Sequence, residues 1–90
     1  MGKRIAAKAE IRKLAASLRL LREEHEYTQQ QVADAVGIDR STYTAYEVAK
    51  NMPNVFILDC IAGLYKISVD DILHNPDVAF LFKEESLQSR

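Results

Sequence analysis

Apolar residues recur along this chain at the three- and four-residue spacings of helices, with no sustained two-residue alternation of the strand kind. Ile11, Leu14, Leu18 and Leu21 are three, four and three residues apart and line one face of a helix from residue 4 to about 25. Most other positions there are Ala, Lys, Arg or Glu, all strong helix formers. Thr28 with Gln31 three residues on is a capping-box pattern, and it opens a helix running to Val36. Gly37 follows, where a left-handed residue ends a helix. Asp39 is the next cap and opens a helix from Arg40 to about Val48. Lys50, Asn51, Met52 and Pro53 form a loop, because proline cannot continue the preceding helix. Asn54 caps a helix to about Tyr65, with Val55, Leu58, Ile61, Ala62 and Tyr65 as its apolar face. Ser68 with Asp71 makes a second capping box before a short helix to about Leu73. Asn75 and Pro76 read as the start of a last helix. The pattern predicts an all-α domain.

The segment from Gln29 to Tyr46 carries the chemistry. Val32 and Val36 face inward from one short helix and Tyr43 and Tyr46 from the next, with Val36-Gly37-Ile38 turning between them. Ala33 sits where two steeply crossing helices touch, and Ile38 plugs the corner beneath the turn. A small residue, a glycine four later and an apolar residue directly after it make the recipe for a helix-turn-helix. The second helix of such a unit stands clear of the body, so its polar face can enter the major groove of DNA. That face is Arg40, Ser41, Thr42, Thr44 and Ala45. It offers a guanidinium, hydroxyls and a small apolar surface suited to a thymine methyl.

Several motifs agree with that reading as a set. Arg22, the Thr28-Gln29 start with Val32-Ala33, Val36-Gly37-Ile38, Tyr46-Glu47, and the run from Ile67 to Leu73 all fall within residues 18–73. This segment resembles the phage-repressor/Cro-like, or XRE-family, helix-turn-helix domain. The resemblance implies a five-helix lambda-repressor-like fold. It implies base contacts from Arg40, Ser41 and Ala45, with Thr42 and Thr44 beside them. Gln29 should bind a phosphate and buttress the recognition helix at about 40–48, and Lys50 and Asn51 should grip the phosphate backbone. Arg22 and Glu47 should form a largely buried salt bridge. Relatives of this kind usually bind palindromic operators as homodimers. The expected function is sequence-specific binding of double-stranded DNA as a transcriptional regulator, in the repressor sense. A reading of a different class is the antitoxin of a toxin–antitoxin pair, binding a toxin protein and its own operator. One departure stands out: the Glu-x-Gly-Lys of the family is Glu47-Val48-Ala49-Lys50 here. An alanine at the glycine position carries a steric cost if that residue takes positive φ.

Charge and composition sharpen this picture. Twelve basic and thirteen acidic residues leave a net −1, but residues 1–53 hold +2 and residues 54–90 hold −3. One end therefore suits an anionic partner and the other repels it. His25 and His74 are far apart and lack companion ligands, so no metal and no cofactor are expected. Cys60 has no histidine beside it and no second cysteine; it reads as a structural helix thiol in a reducing, cytoplasmic setting. Asp70 and Asp71 read as helix capping rather than as an acid/base pair, so no enzyme is expected. Tyr27, Tyr43, Tyr46 and Tyr65 read as rims of the core rather than base-stacking platforms. No apolar run approaches the ~20 residues that cross a bilayer, so no membrane span is expected.

The ends lie outside the resemblance. Residues 1–17 are an extension continuous with helix one, which begins near Arg4, because the Ile11–Leu21 stripe is longer than a five-helix domain needs. Residues 74–90 are an extension with a helical, dimer-forming pattern. Val78, Phe80, Leu81 and Phe82 fall within five residues, with Phe80 pointing away from Val78 and Phe82. A small monomer covers only one such face, which places the dimer contact here, assisted by Ile72 and Leu73.

Overall fold

The structure is a computed structural model that describes residues 2–74, and side chains over residues 8–73. Among these residues the regular structure is five helices: α1 (Gly2–Glu24), α2 (Gln29–Val36), α3 (Arg40–Glu47), α4 (Val55–Tyr65) and α5 (Val69–His74). The predicted helix start at Asn75-Pro76 and the predicted dimer residues Val78, Phe80, Leu81 and Phe82 lie outside the described residues. α1 packs on α3 and α5, α2 on α3 and α4, and α4 on α5. Their shared core is built from Leu14, Leu18, Leu21, Val32, Ala33, Tyr43, Ile61 and Ile72, with Val36, Tyr46, Leu58, Ala62 and Tyr65 around them. α1 runs for 23 residues, so its helix does begin well upstream of the Leu14–Leu21 stripe. Ile11 lies only partly buried at the end of that stripe.

Local signals explain the helix starts. The Thr28 side chain accepts from the Gln31 amide while the Gln31 side chain accepts from the Thr28 amide, a closed capping box. Asn54 caps α4 through the Ile57 amide, and Ser68 caps α5 through the Asp71 amide at 3.0 Å. Asp39 departs from expectation: its backbone has N-cap angles (φ −72°, ψ 149°), but its side chain makes no capping bond. The first-turn amides of α3 are thus left without a side-chain cap.

The helix ends follow one rule with four different residues. In each of α1 to α4 an amide two or three residues past the helix end reaches back five residues: Tyr27 to Arg22, Ile38 to Ala33, Lys50 to Ala45 and Ile67 to Ala62, at 2.9–3.1 Å. Each is a Schellman closure, and the residue inside it is left-handed. Only Gly37 (φ 77°) is a glycine; Glu26 (φ 59°), Ala49 (φ 63°) and Lys66 (φ 60°) are not. An L-residue in that region carries roughly 1–2 kcal/mol of steric strain. Part of it would be offset by the greater freedom glycine has in the unfolded chain. Ala49→Gly is therefore expected to stabilise the domain by about 0.5–1 kcal/mol, raising Tm by several degrees. Gly37→Ala should do the reverse; a Cβ there would meet nothing within 4 Å, so its effect isolates the backbone term. Thermal melts of both variants check this, and an unchanged or lower Tm for Ala49→Gly overturns it.

Three further expectations are corrected. Val55 is 65% exposed rather than on the buried face of α4, because as the first residue of the helix it lies beyond the edge of the core. Cys60 is exposed, on the solvent side of the same helix. Ile72 is fully buried within its own domain, and Leu73 packs partly against it, so Ile72 presents no surface to a second chain.

Candidate nucleic-acid interface

The candidate recognition helix is anchored from behind by a single connected set of hydrogen bonds. Glu47, at the end of α3, has a side chain only 3% exposed. Arg22 from α1 holds it with both arms of its fork, Nε to Oε2 at 2.6 Å and Nη2 to Oε1 at 3.0 Å. The third guanidinium nitrogen donates to the Tyr27 carbonyl at 3.0 Å, which ties the α1–α2 turn into the same set. Gln29, the first residue of α2, donates from Nε2 to Glu47 Oε1 at 3.1 Å. The Thr44 hydroxyl of α3 donates to Gln29 Oε1 at 2.9 Å. A carboxylate only accepts, so the Gln29 amide nitrogen must face Glu47 and its carbonyl must face Thr44. The result pins three helices together at the base of α3.

Burial and charge work against each other here. Burial pushes the Glu47 carboxyl up, but the bonds from Arg22 and Gln29, with the Tyr43 hydroxyl facing the same group, outweigh it and hold the pKa below 4.5. Arg22 is raised further by its bond to Glu47 and stays cationic. The Tyr43 hydroxyl is buried and lacks a well-formed hydrogen bond; burial, then Glu47, push its pKa up, so it stays protonated. Because the folded-state pKa of Glu47 is depressed, the unfolded chain takes up this proton first as pH falls. Its stabilisation is complete above about pH 5 and is lost as pH drops below 4.5 through the folded value. Urea midpoints measured from pH 6 to pH 3 should fall for the natural chain. Glu47→Gln should start lower and lose less over that interval; parallel curves overturn the assignment.

The outer face of α3 presents the rest. Arg40 and Ser41 are exposed, while Thr42, Thr44 and Ala45 are half-buried. The Thr44 hydroxyl is turned inward to Gln29, a role that residue type alone does not reveal. Gln29 is half-buried with both ends of its amide engaged, leaving one amide proton for an outside acceptor. Lys50 and Asn51 are exposed in the loop between α3 and α4, and both of their amides donate to the Ala45 carbonyl, which fixes the loop against α3. The positive φ of Ala49 is the bend that makes this possible. Sequence reasoning missed the Tyr27 carbonyl on Arg22 and the Thr44–Gln29 bond; backbone acceptors and hydroxyl directions leave no pattern along the chain. Among the described residues no cluster of His, Cys, Asp or Glu could hold a metal ion. No helix among them is long and apolar enough to cross a membrane.

A short helix, a glycine turn and a second helix locked at its base with its outer face open define a helix-turn-helix domain of the lambda-repressor-like fold. The chain belongs to the helix-turn-helix family, which matches residues 18–72. That family is one of DNA-binding regulators rather than an enzyme class. The chain is 43% identical over 56 residues to the HTH-type transcriptional regulator YobD of Bacillus subtilis (strain 168), covering 62% of this chain and 50% of YobD. It is 33% identical over 70 residues to the HTH-type transcriptional regulator YqaE of the same organism, covering 78% of this chain and 60% of YqaE. It is 25% identical over 76 residues to the cryptic phage CTXphi transcriptional repressor RstR of Vibrio cholerae, covering 84% of this chain and 66% of RstR. The chain thus spans about half the length of YobD and three fifths of YqaE. No solved structure matches the chain at a significant level.

Proposed function

We propose that this chain binds a short site in double-stranded DNA, with α3 in the major groove, and acts as a transcriptional regulator, in the repressor sense. The observation that carries this reading is the pairing of a locked base with an open face. Arg22, Gln29 and Glu47 immobilise α3 from within, while Arg40 and Ser41 stand exposed, Arg40 with no acidic partner among the described residues. A long cation held on a rigid helix and left unpaired suits a partner that supplies the missing acceptors. Arg40, Ser41, Thr42 and Ala45 then face base edges, with Thr44 positioning Gln29. Gln29, Lys50 and Asn51 meet phosphates, which set register rather than sequence. The likeness to RstR, named a phage transcriptional repressor, supports the repressor sense.

Binding as a homodimer to a palindromic operator completes the proposal. The second copy meets residues 76–87, where Val78, Phe80, Leu81 and Phe82 cluster in the sequence. Selection of bound sites from random duplex DNA tests the whole reading. The expected result is a two-fold symmetric consensus whose half-sites lie about one helical turn, ~34 Å, apart. Failure to enrich any consensus overturns the recognition reading, and an asymmetric one overturns the homodimer. Light scattering of the intact chain and of a truncation after Asn75 locates the contact. The truncated form should have the mass of a monomer, and two dimers would move the interface elsewhere.

A further inference from the structure

Positive charge in this chain is concentrated in α1. Seven of the twelve Lys and Arg residues lie between Gly2 and Glu24, although the whole chain carries a net −1. The first part of that helix precedes the family match, which starts at residue 18. Lys8, Arg12 and Arg19 share one face of α1, at spacings of four and seven. That face meets the loop after α3: Lys8, Ile11 and Arg12 line one cleft with Ala49. Arg12, Ala15, Ala16 and Arg19 line an adjoining groove with Val48 and Ala49. Arg19 makes an exposed ion pair with Glu23 at 3.1 Å. Lys8 and Arg12 are exposed and have no acidic partner among the described residues. Glu10, the acidic residue nearest them in sequence, lies about 200° round the helix from each, at ~100° per residue.

We propose that Lys8 and Arg12 join Lys50 and Asn51 in one phosphate-binding surface, which grips the DNA strand flanking the site that α3 reads. This rests on the DNA-binding reading above and extends it to a part of α1 beyond the family match. Three features favour DNA over an acidic protein. The two cations sit within a continuous helix, one turn apart on one face. They adjoin, through Ala49, the loop that already carries Lys50 and Asn51. From Lys8 to Arg19 the face runs about 16 Å at ~1.5 Å per residue, long enough to follow several phosphates of one strand. Lys8 and Arg12 supply the positive charge of this surface, and their contribution to binding is electrostatic and independent of sequence.

The test compares the intact chain with a Lys8→Gln, Arg12→Gln double variant, titrated against the duplex enriched by selection and against a scrambled duplex, over a series of salt concentrations. Both positions are exposed and glutamine is a good helix former, so circular dichroism and Tm should be unchanged. The slope of log affinity against log salt should shrink by about two units, one for each phosphate contact. The preference for the selected duplex over the scrambled one should stay the same. An unchanged slope, with the natural chain still preferring the selected duplex, overturns this surface and leaves the α3 reading standing. If the natural chain shows no preference while the variant still loses two units of slope, the phosphate surface stands and the recognition reading falls. A variant that loses preference without losing slope also overturns the surface, because its cations would then be reading bases.

Discussion

Replacing Arg22 by methionine is expected to destabilise the domain by about 3–5 kcal/mol, the range for breaking a buried ion pair by removing one partner. The Arg22 side chain is 15% exposed and the Glu47 side chain 3% exposed, so the carboxylate is the group left stranded. It then has two ways to respond. It can stay ionised with only Gln29 donating to it, or take up a proton. At pH 7 the second route limits the carboxylate's penalty to about 3.4 kcal/mol, from ~1.36 kcal/mol for each unit between 4.5 and 7. The bond to the Tyr27 carbonyl is lost as well, at about 1 kcal/mol. Methionine keeps much of the stem's packing, so the measured loss reports charge and hydrogen bonding. The pH response should also change sign. With Arg22 gone, burial dominates and lifts the Glu47 pKa above its unfolded value. The variant should then gain stability as pH falls from 7 towards 5, where the natural chain is flat. Replacing both residues, Arg22→Met with Glu47→Leu, should recover most of the loss, since a buried pair and a well-packed apolar pair differ little. A double-mutant cycle with coupling below about 0.5 kcal/mol overturns this account.

That pair marks how far the sequence could be read. The helices and most of their starts follow from spacing and capping chemistry: Thr28 with Gln31, Asn54, and Ser68 with Asp71 all bond as their residue types imply. Arg22 and Glu47 are 25 residues apart and no periodicity joins them; only the family resemblance pairs them in the sequence, and the structure brings them to 2.6 Å. Helix ends were harder to read. Gly37 announces its left-handed turn because only glycine adopts it freely, whereas Glu26, Ala49 and Lys66 take the same turn unannounced. In those three places the Schellman hydrogen bonds and tertiary packing override the residue's own preference. Val55 shows the opposite failure: it fits the apolar stripe of α4, but the core does not reach the first turn of that helix. Thr44 shows a third kind, for a hydroxyl on a recognition helix can face a base or a buttress, and only packing decides which.

Arg40→Ala is expected to weaken binding to the selected duplex by about 1–3 kcal/mol, roughly 5- to 150-fold, and to flatten base preference at one position of each half-site. The residue opens α3 and is exposed, so its loss should leave the stability within about 0.5 kcal/mol of the natural chain. Two properties of its position argue for a base contact rather than a phosphate contact. The first turn of a recognition helix is the part that reaches base edges. The helix behind it is fixed by Glu47, Gln29 and Arg22, which removes much of the orientational freedom that would blur a directional bond. A guanidinium so placed pairs best with guanine, through O6 and N7 together. Arg40→Lys separates this from simple charge attraction. Lysine keeps the charge and loses the fork, so it should not restore the full base preference. Equal loss on selected and scrambled duplexes in Arg40→Ala, with full recovery in Arg40→Lys, would make Arg40 a phosphate contact. The reading of sequence would then fall to Ser41, Thr42 and Ala45, whose short side chains reach a base edge only if α3 lies deep in the groove.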